Sequence, residues 1–191
     1  MLGQGRCKGT VLIHLREFVE QEQGGHVWTE VLSELPEEDR AVFGGIIIVG
    51  GWYPVRTWNR ALRAFLPRAF ADGDAGMRAL SAFIADRDLN TLYKIILRMG
   101  TPEFLLRRTE SLWGRYFDVG EFTAGEVGKH RWHLELSAPR GEEAAPDGWT
   151  CGPGVSAWLE MGLRQTGASA TVRHVRCRLV SSKKCEYDVT W

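Results

Sequence analysis

The sequence predicts an α+β fold in which an N-terminal helical layer packs on a C-terminal antiparallel sheet. Up to about residue 117, apolar residues recur at the spacing of one helix face. From about residue 118 to residue 191, several segments alternate polar and apolar residues, which is typical of half-buried strands. The predicted order there is strand, strand, helix, strand, strand, so we expect an antiparallel sheet covered by helices. A chain of 191 residues can form one core, and we expect a single domain.

Helical periodicity defines the elements of the N-terminal layer. The first predicted helix places Val11, Leu15 and Phe18 on one face and ends at Gly24. Near the end of the layer, Thr101 is a suitable N-cap because a proline follows it at the first helical position. The predicted helices cover residues 8–23, 29–35, 36–45, 55–70, 76–88, 89–99 and 101–117. The apolar run "GGIIIVGGWYPV" is too short for periodicity to distinguish a strand from a helix.

The C-terminal part contains a predicted hairpin, a polar loop, one helix and two further strands. Alternation in "EFTAGEVGKHRWHLELSA" indicates the two strands of the hairpin, separated by a glycine break. The segment "APRGEEAAPDGWT" is rich in proline, glycine and acidic residues and indicates a loop. The predicted strands cover residues 118–127, 129–138, 169–180 and 185–191, and the predicted helix covers residues 152–167.

The charge balance argues against polyanionic partners. The chain has 24 Lys and Arg residues and 24 Asp and Glu residues, so no net field attracts nucleic acid or an anionic membrane surface. No apolar run reaches the roughly 18 residues of a membrane span, and the N-terminus lacks the apolar region of a signal peptide. We therefore expect a cytoplasmic protein whose four cysteines serve metal binding, redox chemistry or packing.

Possible metal ligands cluster near the C-terminus, in the segment "HVRCRLVSSKKC". His174 and Cys177 are three residues apart, and a turn after Cys177 would bring Cys185 back beside them. Cys151 opens the preceding helix and is the candidate for a fourth ligand, because helix N-termini favour thiolates. Thiolate and imidazole are the ligands that zinc prefers in a tetrahedral site. The spacing alone leaves two alternatives, a disulfide or two buried thiols in an ordinary hairpin.

The same residues carry a resemblance to a known family. Cys151 is followed after 22 residues by His174, then by Cys177, and after seven more residues by Cys185. This pattern resembles the zinc site of bacterial heme-nitric oxide/oxygen binding (H-NOX) domains, and sensor domains of the 4-vinyl reductase type have glutamate at the histidine position. The opening "KGTVLIHLREFVEQEQGGHVWTEVL" is also similar to the start of H-NOX proteins. The resemblance implies a sensor fold whose C-terminal hairpin is stapled by a structural zinc ion.

The resemblance breaks at the heme-binding residues. H-NOX domains hold heme through a proximal histidine on a helix and through a Tyr-x-Ser-x-Arg motif that binds the propionates. In this chain the motif retains only Arg140, with Leu136 and Ala138 at the other two positions, and the matching helix reads "LLRRTE". Tyr116 lies close to the missing histidine and is an alternative axial ligand. We therefore expect that heme is not the native cofactor, with a divergent heme or gas sensor as an alternative.

Aromatic residues supply material for an apolar pocket between the helical layer and the sheet. The chain has eight tryptophans, each with a large apolar face and one hydrogen-bond donor. The candidate pocket residues are Trp52, Trp58, Phe83, Phe104, Trp113, Trp132 and Arg140. Such a pocket would accept a hydrophobic or aromatic small molecule. The alternative is that these rings fill the core and leave no cavity.

These patterns favour a small-molecule sensor over an enzyme. The sequence has neither a G-x-S-x-G nucleophile elbow nor a G-x-G-x-x-G dinucleotide fingerprint, and we assign no catalytic residue. By analogy with the family, ligand binding would shift helix packing and pass a signal to a partner protein or a homodimer mate. A redox sensor is the second hypothesis, because zinc-bound thiolates can oxidise to a disulfide and release the metal.

Overall fold

The predicted α+β architecture is present in the computed structural model, which describes residues 4–91 and 100–191. The helices of this part of the chain are α1 (Gly9–Glu22), α2 (Gly25–Glu34), α3 (Glu37–Gly44), α4 (Val55–Ala69), α5 (Gly73–Thr91), α6 (Pro102–Leu106), α7 (Thr109–Trp113) and α8 (Val155–Gln165). The strands are β1 (Arg6–Lys8), β2 (Trp52–Pro54), β3 (Glu121–Gly128), β4 (Arg131–Ser137), β5 (Thr171–Arg176) and β6 (Cys185–Thr190). Most of the helix predicted at 89–99 lies outside the described residues.

The segment predicted as one helix at 101–117 forms two short helices. Thr101 is the N-cap of α6 as predicted, since its hydroxyl accepts a hydrogen bond from the backbone N–H of Phe104 at 3.3 Å. The helix ends after Leu106, whose carbonyl accepts a hydrogen bond from the hydroxyl of Thr109 at 2.9 Å. This local bond competes with the continuous helical pattern. The apolar spacing of the segment therefore predicts which helix face is buried, but it does not predict the break between α6 and α7.

The strands β3, β4, β6 and β5 form a four-stranded antiparallel sheet in that order. The predicted hairpin is confirmed by the pairing of β3 with β4, and its turn contains His130 at a φ of 54°. The C-terminal strand β6 lies between β4 and β5. The buried side chains Trp132, Leu134 and Tyr187 lie on the face of the sheet that packs into the core.

A second, two-stranded sheet of β1 and β2 is not predicted by the sequence. The apolar run before β2 forms a loop whose backbone caps α1. The N–H of Gly9 donates to the carbonyl of Gly51 at 2.9 Å, and that of Thr10 donates to Val49 at 3.1 Å. The loop thus satisfies amides that a helix start leaves without partners. Ile46, Ile48 and Val49 of this loop are exposed, Ile46 at 94%, whereas Ile47 packs against the core.

The long helix α5 joins the helical layer to the C-terminal part of the chain. It packs on α1 and α4 on one side, and on α8 and the π-helical turn Thr150–Gly154 on the other. Its buried residues include Met77, Leu80 and Leu89. Across the described residues, no helix combines the length and the apolar character needed to cross a membrane.

The arginines of α4 are tied into ion pairs. Arg60 contacts Glu38 at 2.8 Å, Asp39 at 3.1 Å and Glu142 at 2.7 Å. Asp39 is only 1% exposed, so its carboxylate depends on this pairing and its other hydrogen bonds. These pairs fasten α3 and α4 to the loop at 138–150, which precedes the π-helical turn.

Candidate metal centre and apolar cavity

Three of the four predicted zinc ligands meet beside the four-stranded sheet. The Sγ atoms of Cys151, Cys177 and Cys185 lie within 4.8 Å of one another. Cys151 belongs to the π-helical turn, Cys177 directly follows β5, and Cys185 is the first residue of β6. Cys151 and Cys185 are buried, whereas Cys177 is partly exposed. Thiols at this separation are compatible with a single metal ion.

Local hydrogen bonds position these thiols. The backbone N–H of Arg178 donates to Sγ of Cys185 at 3.4 Å and holds the turn after β5 against the start of β6. The hydroxyl of Tyr187 donates to the carbonyl oxygen of Cys151 and links the π-helical turn to the sheet. π-Helical turns are often found at functional sites. Here the turn brings the first predicted ligand to the other two.

His174 lies at the edge of the thiol cluster rather than within the 4.8 Å set. Its ring stacks on Tyr187, its partner in the β5–β6 register, at a centroid distance of 5.0 Å. The Nε2 atom is buried and has no hydrogen-bond partner among the described residues. Since a buried nitrogen without a partner is unfavourable, a metal ion at the thiols would provide what this imidazole lacks.

Cys151 and Cys185 shift each other's pKa in opposite directions. The hydrogen bond from the Cys151 thiol lowers the pKa of Cys185 against the effect of burial, and His174 acts in the same direction as Cys151. The same hydrogen bond and burial raise the pKa of Cys151, while the positive charge of Arg178 acts to lower it. The lowered pKa of Cys185 favours its thiolate form, which is the form that binds metal.

The donor set fits zinc. Three thiolates and one imidazole make up a Cys3His tetrahedron, a common structural zinc site. The remaining cysteine, Cys7, lies in β1 opposite Tyr53 of β2 and is fully buried. Burial raises its pKa, so this thiol stays protonated and takes no part in the cluster.

A surface cleft of about 700 Å³ opens beside the candidate ligands. His174 and Cys177 lie on its wall together with Trp149, Pro146 and Leu179. Since Cys177 is partly exposed, the cleft gives solvent and small reactants access to one edge of the thiol cluster.

A separate apolar cavity of about 80 Å³ lies between α1, α5, α7, α8 and β3. Its lining includes Val11, Trp58, Met77, Ile84, Trp113, Tyr116, Phe122, Val155 and Trp158. The indole N–H of Trp58 donates to Thr150 at 2.9 Å, and that of Trp113 donates to the carbonyl of Val119 at 2.8 Å. Pockets for drug-sized ligands measure roughly 300 Å³ or more, so in this conformation the cavity admits only an apolar molecule of a few atoms.

Two of the seven predicted pocket residues, Trp58 and Trp113, line this cavity. Trp52 lies instead on β2, where the amino group of Lys8 sits 3.9 Å from the centre of its ring. That contact with a cation holds the indole at the surface of the small sheet.

Three further predicted pocket residues also lie away from the cavity. The guanidinium of Arg87 lies 3.9 Å from the centre of the Phe83 ring, and that of Arg108 lies 4.4 Å from the centre of the Phe104 ring. Trp132 is 2% exposed and fills the core beneath β4. The alternative that the rings fill the core describes Trp132, whereas Phe83 and Phe104 lie beneath arginine guanidinium groups.

Among the residues that the structure describes, those near the cavity do not fit heme. Arg140, the retained residue of the propionate motif, donates to the carbonyls of Arg178 at 2.7 Å and Ser182 at 2.8 Å, at the turn before β6. None of the five histidines lines the cavity. Tyr116 does, but its hydroxyl donates to Asp88 at 2.7 Å, and burial raises its pKa well above the ordinary value. A neutral phenol in a cavity of about 80 Å³ offers heme neither an axial anion nor space.

Two residues at the metal centre are not revealed by the sequence. Arg178 is 1% exposed although arginine is rarely buried, and Tyr187 is fully buried with its hydroxyl on Cys151. The only signal for Arg178 is its position directly after Cys177, and several other arginines in the same segment are exposed. Sequence alone cannot rank these arginines, because burial here depends on the loop that covers the turn.

Solved structures of H-NOX domains have the same fold. The H-NOX protein of Shewanella oneidensis in the Fe(II)NO state superposes with a TM-score of 0.73 at 13% identity, covering 95% of this chain and 97% of that one. The unliganded Fe(II) H-NOX protein of K. algicida gives 0.71 at 10% identity, covering 96% and 95%. The IWP-051-bound H-NOX of Shewanella woodyi in the Fe(II)CO state gives 0.68 at 16% identity, covering 95% and 93%. No protein-family model and no curated protein matches the sequence.

These similarities confirm the predicted H-NOX-like fold over almost the whole described chain. The Fe(II) states named for those proteins count against the expectation that heme is not the native cofactor. The residues around the cavity of this chain point the other way. The thiol cluster suits a metal ion, and the identity of that ion stays a prediction.

Proposed function

We propose that this chain is a small-molecule sensor module of H-NOX fold, with a structural zinc ion on Cys151, His174, Cys177 and Cys185 and without heme. The observation that carries the proposal is the convergence of three thiols within 4.8 Å beside a buried imidazole nitrogen without a partner. When bound, zinc would cross-link the β5–β6 turn to the π-helical turn.

The zinc centre and the apolar cavity share one structural element. Thr150 and Gly154 belong to the same π-helical turn as Cys151, and both line the cavity. Val155 and Trp158 follow in α8 and line it as well. A metal ion that fixes this turn would therefore fix one wall of the cavity. A ligand that displaces this wall would displace α8 with it, and this displacement would be the signal.

Zinc content of cysteine variants tests the metal part of the proposal. We expect about one zinc per chain in protein purified without chelator, and Cys185→Ser should lose it because the centre keeps only two thiolates. Cys7→Ser is the matched control, since Cys7 is equally buried but lies in β1. Equal zinc in both variants, or none in the wild type, would contradict the proposal.

The ligand we propose is small and apolar. The cavity of about 80 Å³ is smaller than the roughly 150 Å³ of an apolar cavity known to admit benzene, so an aromatic ligand requires cavity side chains to move. The signal would pass to a partner protein or a second copy, and the protein would act in the cytoplasm without catalysis. Thermal-shift measurements with a series of apolar molecules of increasing size would define the upper limit.

A redox sensor is the alternative that a specific observation supports. Cys177 is partly exposed on the surface cleft, and it lies within 4.8 Å of two further thiols. A peroxide could oxidise Cys177 to a sulfenic acid, releasing water from the peroxide, and a neighbouring thiol would then form the disulfide and expel a second water. Peroxide treatment that releases no zinc and forms no disulfide would exclude this role.

A further inference from the structure

Arg178 is a buried cation without a carboxylate partner. Its side chain is 1% exposed, and no Asp or Glu oxygen within the described ranges lies within 4.0 Å of its guanidinium. One terminal nitrogen donates to the carbonyl of Pro139 at 2.6 Å and the other donates to the carbonyl of Pro146. Its Nε atom is buried and has no partner among the described residues. Two carbonyl dipoles satisfy donors but do not neutralise a full charge.

The thiols of the candidate metal centre lie beside Arg178 and can carry an opposite charge. Arg178 directly follows Cys177, and its backbone N–H donates to Sγ of Cys185. Its positive charge also acts to lower the pKa of Cys151, although Cys185 and burial raise that pKa overall. Since arginine remains protonated inside proteins, a thiolate at this centre would compensate its charge.

The charges balance when a divalent ion occupies the site. A zinc ion with three thiolates and a neutral imidazole carries one net negative charge, and the guanidinium carries one positive charge. Removing the guanidinium would leave a buried anion, whereas removing a thiolate would leave a buried cation. Each arrangement is unfavourable in a poorly hydrated site.

We propose that Arg178 is the countercharge of the metal centre, a positioning residue that favours a divalent ion on three thiolates. This inference rests on the proposed zinc site. It assigns to Arg178 an electrostatic role in addition to its hydrogen bonds to the loop at 138–150.

The test separates charge from hydrogen bonding with two variants of the full chain. Arg178→Lys keeps the charge but cannot span both carbonyls, whereas Arg178→Gln keeps an amide donor without charge. Zinc affinity is measured by competition with a chromophoric chelator, and the Co(II)-substituted proteins are compared by their thiolate-to-metal absorption. Arg176→Gln is the matched control, because it removes the same charge next to Cys177 from an exposed position.

We expect Arg178→Gln to weaken zinc binding by about 10- to 100-fold, the usual effect of losing an outer-shell partner. Arg178→Lys should recover most of the affinity, and Arg176→Gln should stay close to the wild type. Equal losses in the Lys and Gln variants would show that Arg178 acts only through its hydrogen bonds, and unchanged affinity in Arg178→Gln would also overturn the inference. A wild type without zinc would instead refute the proposed function itself.

If Arg178→Gln proves unfolded without metal, zinc-dependent refolding followed by far-UV circular dichroism gives the same comparison. The midpoint for Arg178→Gln should then lie at a higher free zinc concentration than that for Arg178→Lys. Coincident midpoints would overturn the inference.

Discussion

Filling the apolar cavity should stabilise the protein, and Val155→Ile is the change that does so with least disturbance. Val155 begins α8, is 8% exposed and lines the cavity. At about 24 cal/mol per Å³, a cavity of about 80 Å³ costs about 2 kcal/mol of stability. One added methylene recovers about 0.8 kcal/mol of transfer free energy. We therefore expect Val155→Ile to raise the free energy of unfolding by about 1 kcal/mol.

Urea unfolding at 25 °C measures the effect, with an unchanged denaturant slope as the check that both proteins unfold alike. Val31→Ile is the matched control because Val31 is fully buried and does not line the cavity. Overpacking at such a position costs about 1 to 3 kcal/mol. Pressurised xenon should raise the melting temperature of the wild type more than that of Val155→Ile. If Val155→Ile destabilises the protein as much as Val31→Ile does, the cavity is not available and the ligand proposal fails with it.

Two further predictions concern the helical layer. Gly9→Ala should destabilise the protein by about 1 to 3 kcal/mol, because a β-carbon there would lie 2.1 Å from the backbone oxygen of Ile48. Gly44→Ala is the control and should not destabilise it, since a β-carbon at Gly44 would have nothing within 4 Å. The urea midpoints of the two variants measure the difference. Burial lowers the pKa of His14, but the hydrogen bonds and charges of Asp88 and Glu17 together raise it by more. The pKa of His14 is therefore raised overall. This stabilisation is fully present below the unfolded-state pKa and is lost as pH rises through the folded-state pKa. His14→Gln should thus lose more stability at pH 5.5 than at pH 8.5, and equal losses would show that His14 contributes packing alone.

Most of the fold follows from local patterns in the sequence. The spacing of Val11, Leu15 and Phe18 predicts α1, and these residues are buried in it. Alternation predicts the β3–β4 hairpin and the two C-terminal strands, because one face of the sheet packs on helices. The two-stranded sheet of β1 and β2 escapes prediction because each strand has three residues, too few for a period to be recognised.

The metal centre is predictable to the extent that its ligands are local. Cys177 and Cys185 flank one turn, so the chain itself brings them together. Cys151 comes from another element. Its place at the start of the predicted helix makes it a candidate, and the resemblance to H-NOX domains joins it to the other two before the structure does. Arg178 is buried against the loop at 138–150, and Tyr187 reaches the π-helical turn through its hydroxyl; no local pattern predicts either contact.

The pocket is less predictable, because aromatic residues serve several purposes. Trp58 and Trp113 line the cavity, but both direct their indole N–H into protein hydrogen bonds. Trp52 and Phe104 instead carry cations on their faces. The number of aromatic residues in a sequence does not show whether each ring lies in a cavity, in the core or at the surface. The location of a ring depends on which helices pack together.

The most direct test is the composition of protein expressed with a heme precursor supplied, measured by metal analysis and by the absorption spectrum of the same sample. We expect about one zinc per chain and no Soret band. A stoichiometric Soret band, or protein without zinc whose cysteines are intact, would contradict the account of a heme-free sensor fold with a zinc centre at Cys151, His174, Cys177 and Cys185.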